Sequence, residues 1–160
     1  MDAAWLVWLE RTAVATAMRE STWLYPVAEI VHIVGFVILV GAAAMFDLRL
    51  LGLSRSLSVT SMARHLLPWA RVGLLLALPP GLLMFASDAT LTARNPAFLL
   101  KLSLIAVALL NVAVFHARTF KSVGAWDRDA PTPPSAKLAA IVSLTTWAAV
   151  IAAGRLIAYV

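Results

Sequence analysis

A glutamate, a histidine and a lysine stand inside long apolar segments of this 160-residue chain. Glu29 and His32 are three residues apart, which places both on one face of a helix, whereas Lys101 belongs to a later segment. An ionisable side chain inside a membrane span costs at least about 2.5 kcal/mol, so it marks either a structural pair or a site for a ligand, proton or cofactor. We predict a first polar cluster of Glu29, His32, Lys101 and Asn95, in which Lys101 either pairs with Glu29 or serves such a site.

A second group of polar residues occupies the opposite ends of the same apolar segments. Asp47 and Arg71 have opposite charges, and an ion pair between them would neutralise both and fix two helices against each other. Such a pair could equally be a structural anchor at the membrane interface. The predicted second cluster consists of Asp47, Arg49, Arg71, Asn111 and His116.

The three histidines are the best transition-metal ligands in the chain, which has no cysteine. A b-type haem in a helical bundle commonly takes two axial histidines from facing helices at similar depth. His32 and His116 differ by roughly 20 Å in depth at the helical rise, whereas His65 and His116 differ by only about 5 Å. If haem b is bound, we expect it between His65 and His116, with His32 as the remaining candidate ligand.

Four apolar segments must position these residues. Each is long enough for the roughly 20 residues that a membrane span requires. Pro79 and Pro80 predict a bend in the second span, because each removes a backbone donor. We predict spans at about 23–46, 66–86, 98–117 and 136–159, an interfacial helix at 1–20 and a linker at 119–135.

The composition supports this arrangement. Hydrophobic residues make up 62% of the chain and charged residues only 13%, with a mean hydropathy of +0.89. A soluble domain usually has about 25% charged residues. We therefore predict a single all-α membrane domain over residues 1–160, a four-helix bundle with the lipid bilayer as its partner. The net charge of +5 does not predict nucleic-acid binding, because the cations lie in short loops between apolar runs.

Positive charge distinguishes the two sides of the bundle. Face B is the side with the loop between the first two spans and the long linker; face A is the side with both chain ends. Face B carries eight of the thirteen Lys and Arg residues. Because positively charged loops favour the cytoplasm, this bias predicts a multi-pass protein of a bacterial inner membrane with periplasmic termini.

Four motifs carry a resemblance to a known family. They are Glu29-x-x-His32, Asp47-Leu48-Arg49-Leu50-Leu51-Gly52, Asn95-Pro96-x-Phe98-x-x-Lys101 and Asn111-x-x-x-Phe115-His116, within about residues 22–120. This pattern resembles an uncharacterised bacterial family of four-span membrane proteins, known only as a domain of unknown function. The resemblance implies a four-helix inner-membrane protein and brings no activity. It makes the polar residues of the motifs the ones to examine, and His65 lies outside them.

Three functions fit these observations. The first is a membrane subunit of a redox or metal-handling system, whose histidines hold haem b or contact a quinone. The second is a small proton, metal or solute transporter, and the third is a scaffold or accessory subunit whose polar pairs are structural. The chain has no hydrolase Gly-x-Ser-x-Gly motif and no phosphate-binding loop, so we do not expect a complete catalytic site within it. Missing groups would come from a second copy or a larger membrane complex.

Overall fold

The computed structural model describes residues 3–160, and this part of the chain is helical with no strand. The first two residues of the expected interfacial helix lie outside the described range. The helices are α1 (Ala4–Glu10), α2 (Ala13–Glu20), α3 (Leu24–Leu51), α4 (Val59–Ser87), α5 (Ala89–Thr92), α6 (Pro96–Ala117), a 3-10 helix (Thr119–Ala125) and α7 (Pro134–Leu156).

Four of these helices, α3, α4, α6 and α7, are long and apolar enough to cross a membrane. The expected all-α fold with four spans and an N-terminal helical segment is confirmed. The first two spans extend further toward face B than expected, because α3 continues to Leu51 and α4 begins at Val59. Helix α4 continues through Pro79 and Pro80.

Helices α3 and α4 cross with their backbones in direct contact, at a pair of glycines. A Cβ atom added to Gly73 would lie 2.5 Å from the backbone nitrogen of Leu39, and one added to Gly35 would lie 2.6 Å from that of Ala77. Both distances are shorter than any side chain allows. Small residues permit this approach in membranes, where packing rather than water drives helix association.

The remaining spans join this pair through α7, which packs against both α3 and α6. An apolar cluster in the middle of the bundle contains Leu39, Ala108, Trp147 and Val150, with Phe36 packed against it. A second cluster lies toward face B and includes Phe46, Leu50, Phe115 and Trp126. The middle cluster thus separates the two ends of the bundle.

The N-terminal segment forms two short helices instead of one continuous helix. Thr12 interrupts it and caps α2, because its hydroxyl oxygen accepts from the Ala15 N–H. The segment packs on α4 and α5 at face A. Trp5, Trp8 and Trp23 remain exposed there, as is typical of an aromatic belt at the level of lipid headgroups.

The linker at face B is more ordered than its composition predicts. Its first part is the 3-10 helix, and Trp126 directly after it is buried in the face B core. The Asp127 carboxylate accepts from the Ser58 hydroxyl and from the Thr60 N–H, both at 2.7 Å. These bonds hold the linker against the N-terminus of α4.

Candidate functional site

A large cleft occupies the face A half of the bundle, with a volume of about 1490 Å³. Its walls come from all four spans, and its roof comes from α2 and the segment around α5. Apolar and aromatic side chains form much of the walls, and polar side chains enter from all four spans, among them Ser87 of α4 and Arg155 of α7. The cleft is lined by Ile33, Phe36, Val37, Phe85, Phe98 and Val150, together with Glu29, His32 and Lys101.

His32 is held in one orientation by α4. Its Nδ1 lies 2.7 Å from the Ala77 carbonyl oxygen. Because a carbonyl only accepts, Nδ1 carries the proton in this contact, and Nε2 is the acceptor of the neutral ring. Gly81 makes room for the ring, since a Cβ there would lie 3.0 Å from both Nδ1 and Cε1 of His32. The ring also stacks on Phe36, with the centroids 6.4 Å apart.

Lys101 does not form an ion pair with Glu29, which was one of the two alternatives for this cluster. Its side chain extends along α7, where its Nζ lies 3.6 Å from the position of a Cβ on Gly154. Across residues 3–160 no hydrogen bond or ion pair engages this ammonium group. Glu29 is exposed on the cleft wall of α3. The Lys101 side chain thus packs on α7 beside Gly154 and does not reach the acid.

Asn95, the fourth residue of the predicted first cluster, has a structural role. Its Oδ1 accepts from the N–H groups of Ala97 and Phe98, which caps the N-terminus of α6. Its Nδ2 donates to backbone oxygens of Ile157 and Val160 at 3.0 and 2.7 Å. Asn95 therefore joins α6 to the end of α7 at the rim of the cleft.

The roof of the cleft is fastened by Glu10 and Arg19. Arg19 donates to the Ser87 carbonyl at 2.8 Å and to the Glu10 carbonyl at 2.7 Å. The Glu10 carboxylate accepts from both the N–H and the hydroxyl of Thr90. These bonds, first of all the one from the Thr90 N–H, hold the pKa of Glu10 below its ordinary value of 4.5.

At face B, Arg49 is fully buried and binds backbone rather than a ligand. Its guanidinium donates to the carbonyl oxygens of Leu57, Arg55 and Asp127, at 2.7, 3.1 and 3.0 Å. It thereby ties the end of α3 to both loops of this face. Asp127 completes the same network, because its backbone carbonyl also accepts from the Val59 N–H. Its carboxylate accepts from the Thr60 N–H and the Ser58 hydroxyl, and these bonds, chiefly the one from the Thr60 N–H, lower the pKa of Asp127.

The ion pair that opposite charges made possible between Asp47 and Arg71 does not form. Asp47 is only 6% exposed and turns toward α7, where Ser143 is its side-chain hydrogen-bonding neighbour. Arg71 is exposed on the outside of α4. Asp47 Oδ2 is buried without a hydrogen-bond partner among the described residues.

The histidines are not brought together as a pair of haem ligands. His116 donates from Nδ1 to the Val112 carbonyl in its own helix, and its ring packs against Phe120. His65 is exposed and lines a separate cleft, whose walls do not include His116. Asn111 donates to the Ala139 carbonyl at 2.9 Å and so joins α6 to α7. Within residues 3–160 no three His, Asp or Glu side chains form a metal-binding group.

Comparison with known families extends the resemblance carried by the motifs. A family model matches residues 7–160, described as a family of unknown function. The chain belongs to the DUF6644 family. The match includes the roof helices and the C-terminal span, beyond the segment of about residues 22–120 that the motifs cover. No curated protein and no solved structure matches the chain.

In this DUF6644 chain, the glycines that shape the cleft were missed in the sequence analysis. Gly81 makes room for the His32 ring, and Gly154 lies beside the Lys101 side chain. Gly35 and Gly73 bring α3 and α4 together below the cleft. Glycine inside a membrane helix is a signal for close approach, but the sequence does not state which helix or side chain approaches.

Proposed function

We propose that this DUF6644 protein binds the head group of a membrane-soluble carbonyl compound, of the quinone class, in the face A cleft. The observation that carries the proposal is the ammonium group of Lys101, which has no partner in residues 3–160 although it lies in a largely apolar cleft. A charged donor there is costly unless a ligand accepts its hydrogen bonds. A protein of this kind would serve as a membrane subunit of a redox system.

Two side chains would recognise the head group. Lys101 donates to a carbonyl oxygen, and Nε2 of the neutral His32 accepts from a hydroxyl in the reduced form. The bond from Nδ1 to Ala77 fixes the imidazole, so little orientation is lost on binding. Phe36, Phe85 and Phe98 supply aromatic surface for a flat ring.

Haem b is the other cofactor that the sequence predicts for a redox subunit. Only His32 among the three histidines lines the large cleft, and a second axial histidine does not face it. The residues therefore fit a quinone better than a bis-histidine haem. A reduced-minus-oxidised absorption spectrum of the purified protein distinguishes the two, because only haem gives a Soret band.

Calorimetric titration with a decyl-substituted benzoquinone tests the proposal on protein in lipid nanodiscs, with empty nanodiscs to subtract partitioning. We expect saturable binding that Lys101→Met weakens roughly ten- to a hundredfold, as expected for the loss of a charge-assisted hydrogen bond. Lys121→Met is the matched control, because Lys121 is exposed at face B. Equal affinities of the two variants, or binding of decanoate in place of the quinone, would contradict the proposal.

A second candidate is a solute transporter, favoured by the one-sided shape of the molecule. The cleft occupies the face A half, while a packed apolar cluster lies beneath it. Transporters commonly alternate between such one-sided states. If the wild-type protein takes up a solute into proteoliposomes, and Glu29→Gln abolishes this uptake without loss of quinone binding, the result would favour this candidate over the first.

We further propose that face B is cytoplasmic in a bacterial inner membrane. The support is the excess of Lys and Arg on that side. A reporter enzyme that is active only in the periplasm, fused after residue 160, should be active. An inactive fusion of a correctly inserted protein would reverse the orientation.

A further inference from the structure

Asp47 stands apart from every contact described for the cleft. It lies in the last turns of α3, fifteen residues after His32, and faces α7 in the face B half. Only 6% of its surface is exposed, and Oδ2 is buried without a hydrogen-bond partner in residues 3–160. A buried acid with an unsatisfied oxygen requires a partner that balances its charge.

No charged side chain of the described residues supplies that balance. Arg49, two residues later, donates from Nε and Nη2 to the carbonyls of the face B loops, and its Nη1 has no partner in residues 3–160. The charges that act on this guanidinium are those of Asp127, Asp129 and Arg55, not that of Asp47. Arg71 on α4 is exposed, and on α6 His116 donates to its own helix. From α7 the only side-chain group that acts on the carboxyl is the Ser143 hydroxyl. The neighbours of Asp47 therefore offer oxygen atoms and no cation.

We propose that Asp47 is the binding site of a monovalent cation, a proton or Na⁺, at the interface of α3 and α7. A carboxylate oxygen and a hydroxyl oxygen are the ligand types that hard cations prefer, and a proton on Oδ2 would satisfy the same atom. This site does not depend on the quinone proposal, because the apolar cluster around Trp147 separates it from the cleft.

Occupancy of the site would control how tightly α3 packs on α7. With the cation bound, Asp47 is neutralised and stays buried against Ser143, whose own exposure is 6%. Without it, the free carboxylate gains solvation only by moving toward water at face B. The site would thus link the cation concentration at face B to the packing of the two helices.

A hydrophobic carbodiimide tests the site on the intact protein in detergent. The O–H of a buried protonated carboxylic acid adds across an N=C bond of the carbodiimide. The adduct rearranges to a stable acylurea, which mass spectrometry locates in the chain. We expect modification of Asp47 at mildly acidic pH. A water-soluble carbodiimide should instead modify Asp88, which is exposed at face A.

Protection experiments identify which of the two cations binds. Protection of Asp47 by NaCl, but not by choline chloride, identifies Na⁺, and Ser143→Ala should then require more NaCl for the same protection. Loss of modification only on raising the pH identifies the proton. Because the adduct is mapped in the wild-type chain, the test does not depend on whether Asp47→Asn folds. Failure of the hydrophobic reagent to modify Asp47 at any pH would overturn the proposal.

Discussion

The two ends of this bundle use polar residues in opposite ways. At face A the side chains of His32 and Lys101 keep Nε2 and Nζ without partners in residues 3–160, and both line a cleft of about 1490 Å³. At face B the Arg49 guanidinium and the Asp127 carboxylate bind backbone and hydroxyl groups of two loops. Hydrogen-bonding groups that face empty volume are typical of ligand sites, whereas groups that bind loop backbone are typical of structure. Single buried atoms at face B, Arg49 Nη1 and Asp47 Oδ2, have no partner in residues 3–160, but they do not line the large cleft.

Residue type and burial alone do not distinguish the polar residues with a structural role from those that could bind a ligand. Arg49 is the most buried cation described and has the strongest structural role, since its exposure is 1%. Lys101 is less buried and yet is the better ligand candidate, because nothing in the described chain engages its ammonium group. A polar residue in a membrane protein is therefore better judged by the groups that its donors and acceptors contact than by its depth.

Substitution of Arg49 should have the largest effect on stability. Arg49→Ala removes three hydrogen bonds at face B and leaves the Leu57 carbonyl oxygen without a donor among the described residues. We expect a loss of about 3 kcal/mol, enough to lower the yield of folded protein. The thermal unfolding midpoint in detergent measures this loss. Arg71→Ala, an exposed arginine of α4, should leave the midpoint within a few degrees. Equal losses in both variants would remove the distinction between the two ends.

The glycine crossing of α3 and α4 should have the next largest effect. In Gly73→Ala the new methyl group would meet the backbone of Leu39 at 2.5 Å, which a side-chain movement cannot relieve. We expect about 1–3 kcal/mol of destabilisation, typical of overpacking, measured as the same midpoint. Gly41→Ala is the matched control in α3, because no atom lies within 4 Å of its added Cβ. A stable Gly73→Ala protein would show that the crossing tolerates separation.

Gly81→Ala should affect the cleft more than the fold. Its methyl group would lie 3.0 Å from the His32 ring, so the ring must turn or shift by a few tenths of an ångström. We expect quinone affinity to fall several-fold while the unfolding midpoint changes by less than the Gly73→Ala value. Calorimetry and thermal unfolding of the same preparation give both quantities. An unchanged affinity would indicate that the His32 orientation is irrelevant to binding.

Acidification should loosen the roof of the cleft, the smallest of these effects. Because folding lowers the Glu10 pKa, its stabilisation is present above the ordinary value of 4.5 and is lost as the pH falls through the lower folded pKa. Amide hydrogen exchange of α1 and α5, corrected for the intrinsic pH dependence, should increase below pH 4.5. Glu10→Gln should exchange faster already at neutral pH. If α1 and α5 of the wild type are equally protected from exchange at neutral pH and below pH 4.5, Glu10 does not have this role.

The sequence predicted the fold and part of the site for identifiable physical reasons. Four apolar segments predict four spans, and the cost of charge in lipid directs attention to Glu29, His32 and Lys101, which do line one cleft. Which charges pair depends on side-chain paths between helices. Lys101 follows α7 past Gly154, and Asp47 turns to Ser143, so neither of the two possible ion pairs forms. Such paths depend on interhelical packing that periodicity does not encode.

The roles of the polar residues were partly accessible from local sequence. Asn95 before Pro96 is a standard N-cap pattern, and the cap is present. The binding of Arg49 to backbone could not be predicted, because it depends on Asp127, which lies 78 residues further along the chain. His65 and His116 share a predicted depth, but they lie on separate surfaces around the bundle. Depth follows from the helical rise alone, whereas direction requires the packed structure.

The thermal unfolding midpoint of Lys101→Met, with and without the decyl-substituted benzoquinone, tests the central claim most directly. A ligand that binds the folded state raises the midpoint. We predict that the variant without ligand unfolds at or above the wild-type midpoint, because it loses an unpartnered ammonium group. Its ligand-induced increase should be much smaller than that of the wild type at the same quinone concentration, because its affinity is roughly ten- to a hundredfold lower. A lower midpoint without ligand, together with an undiminished increase on adding the quinone, would show that Lys101 is structural and contradict the account.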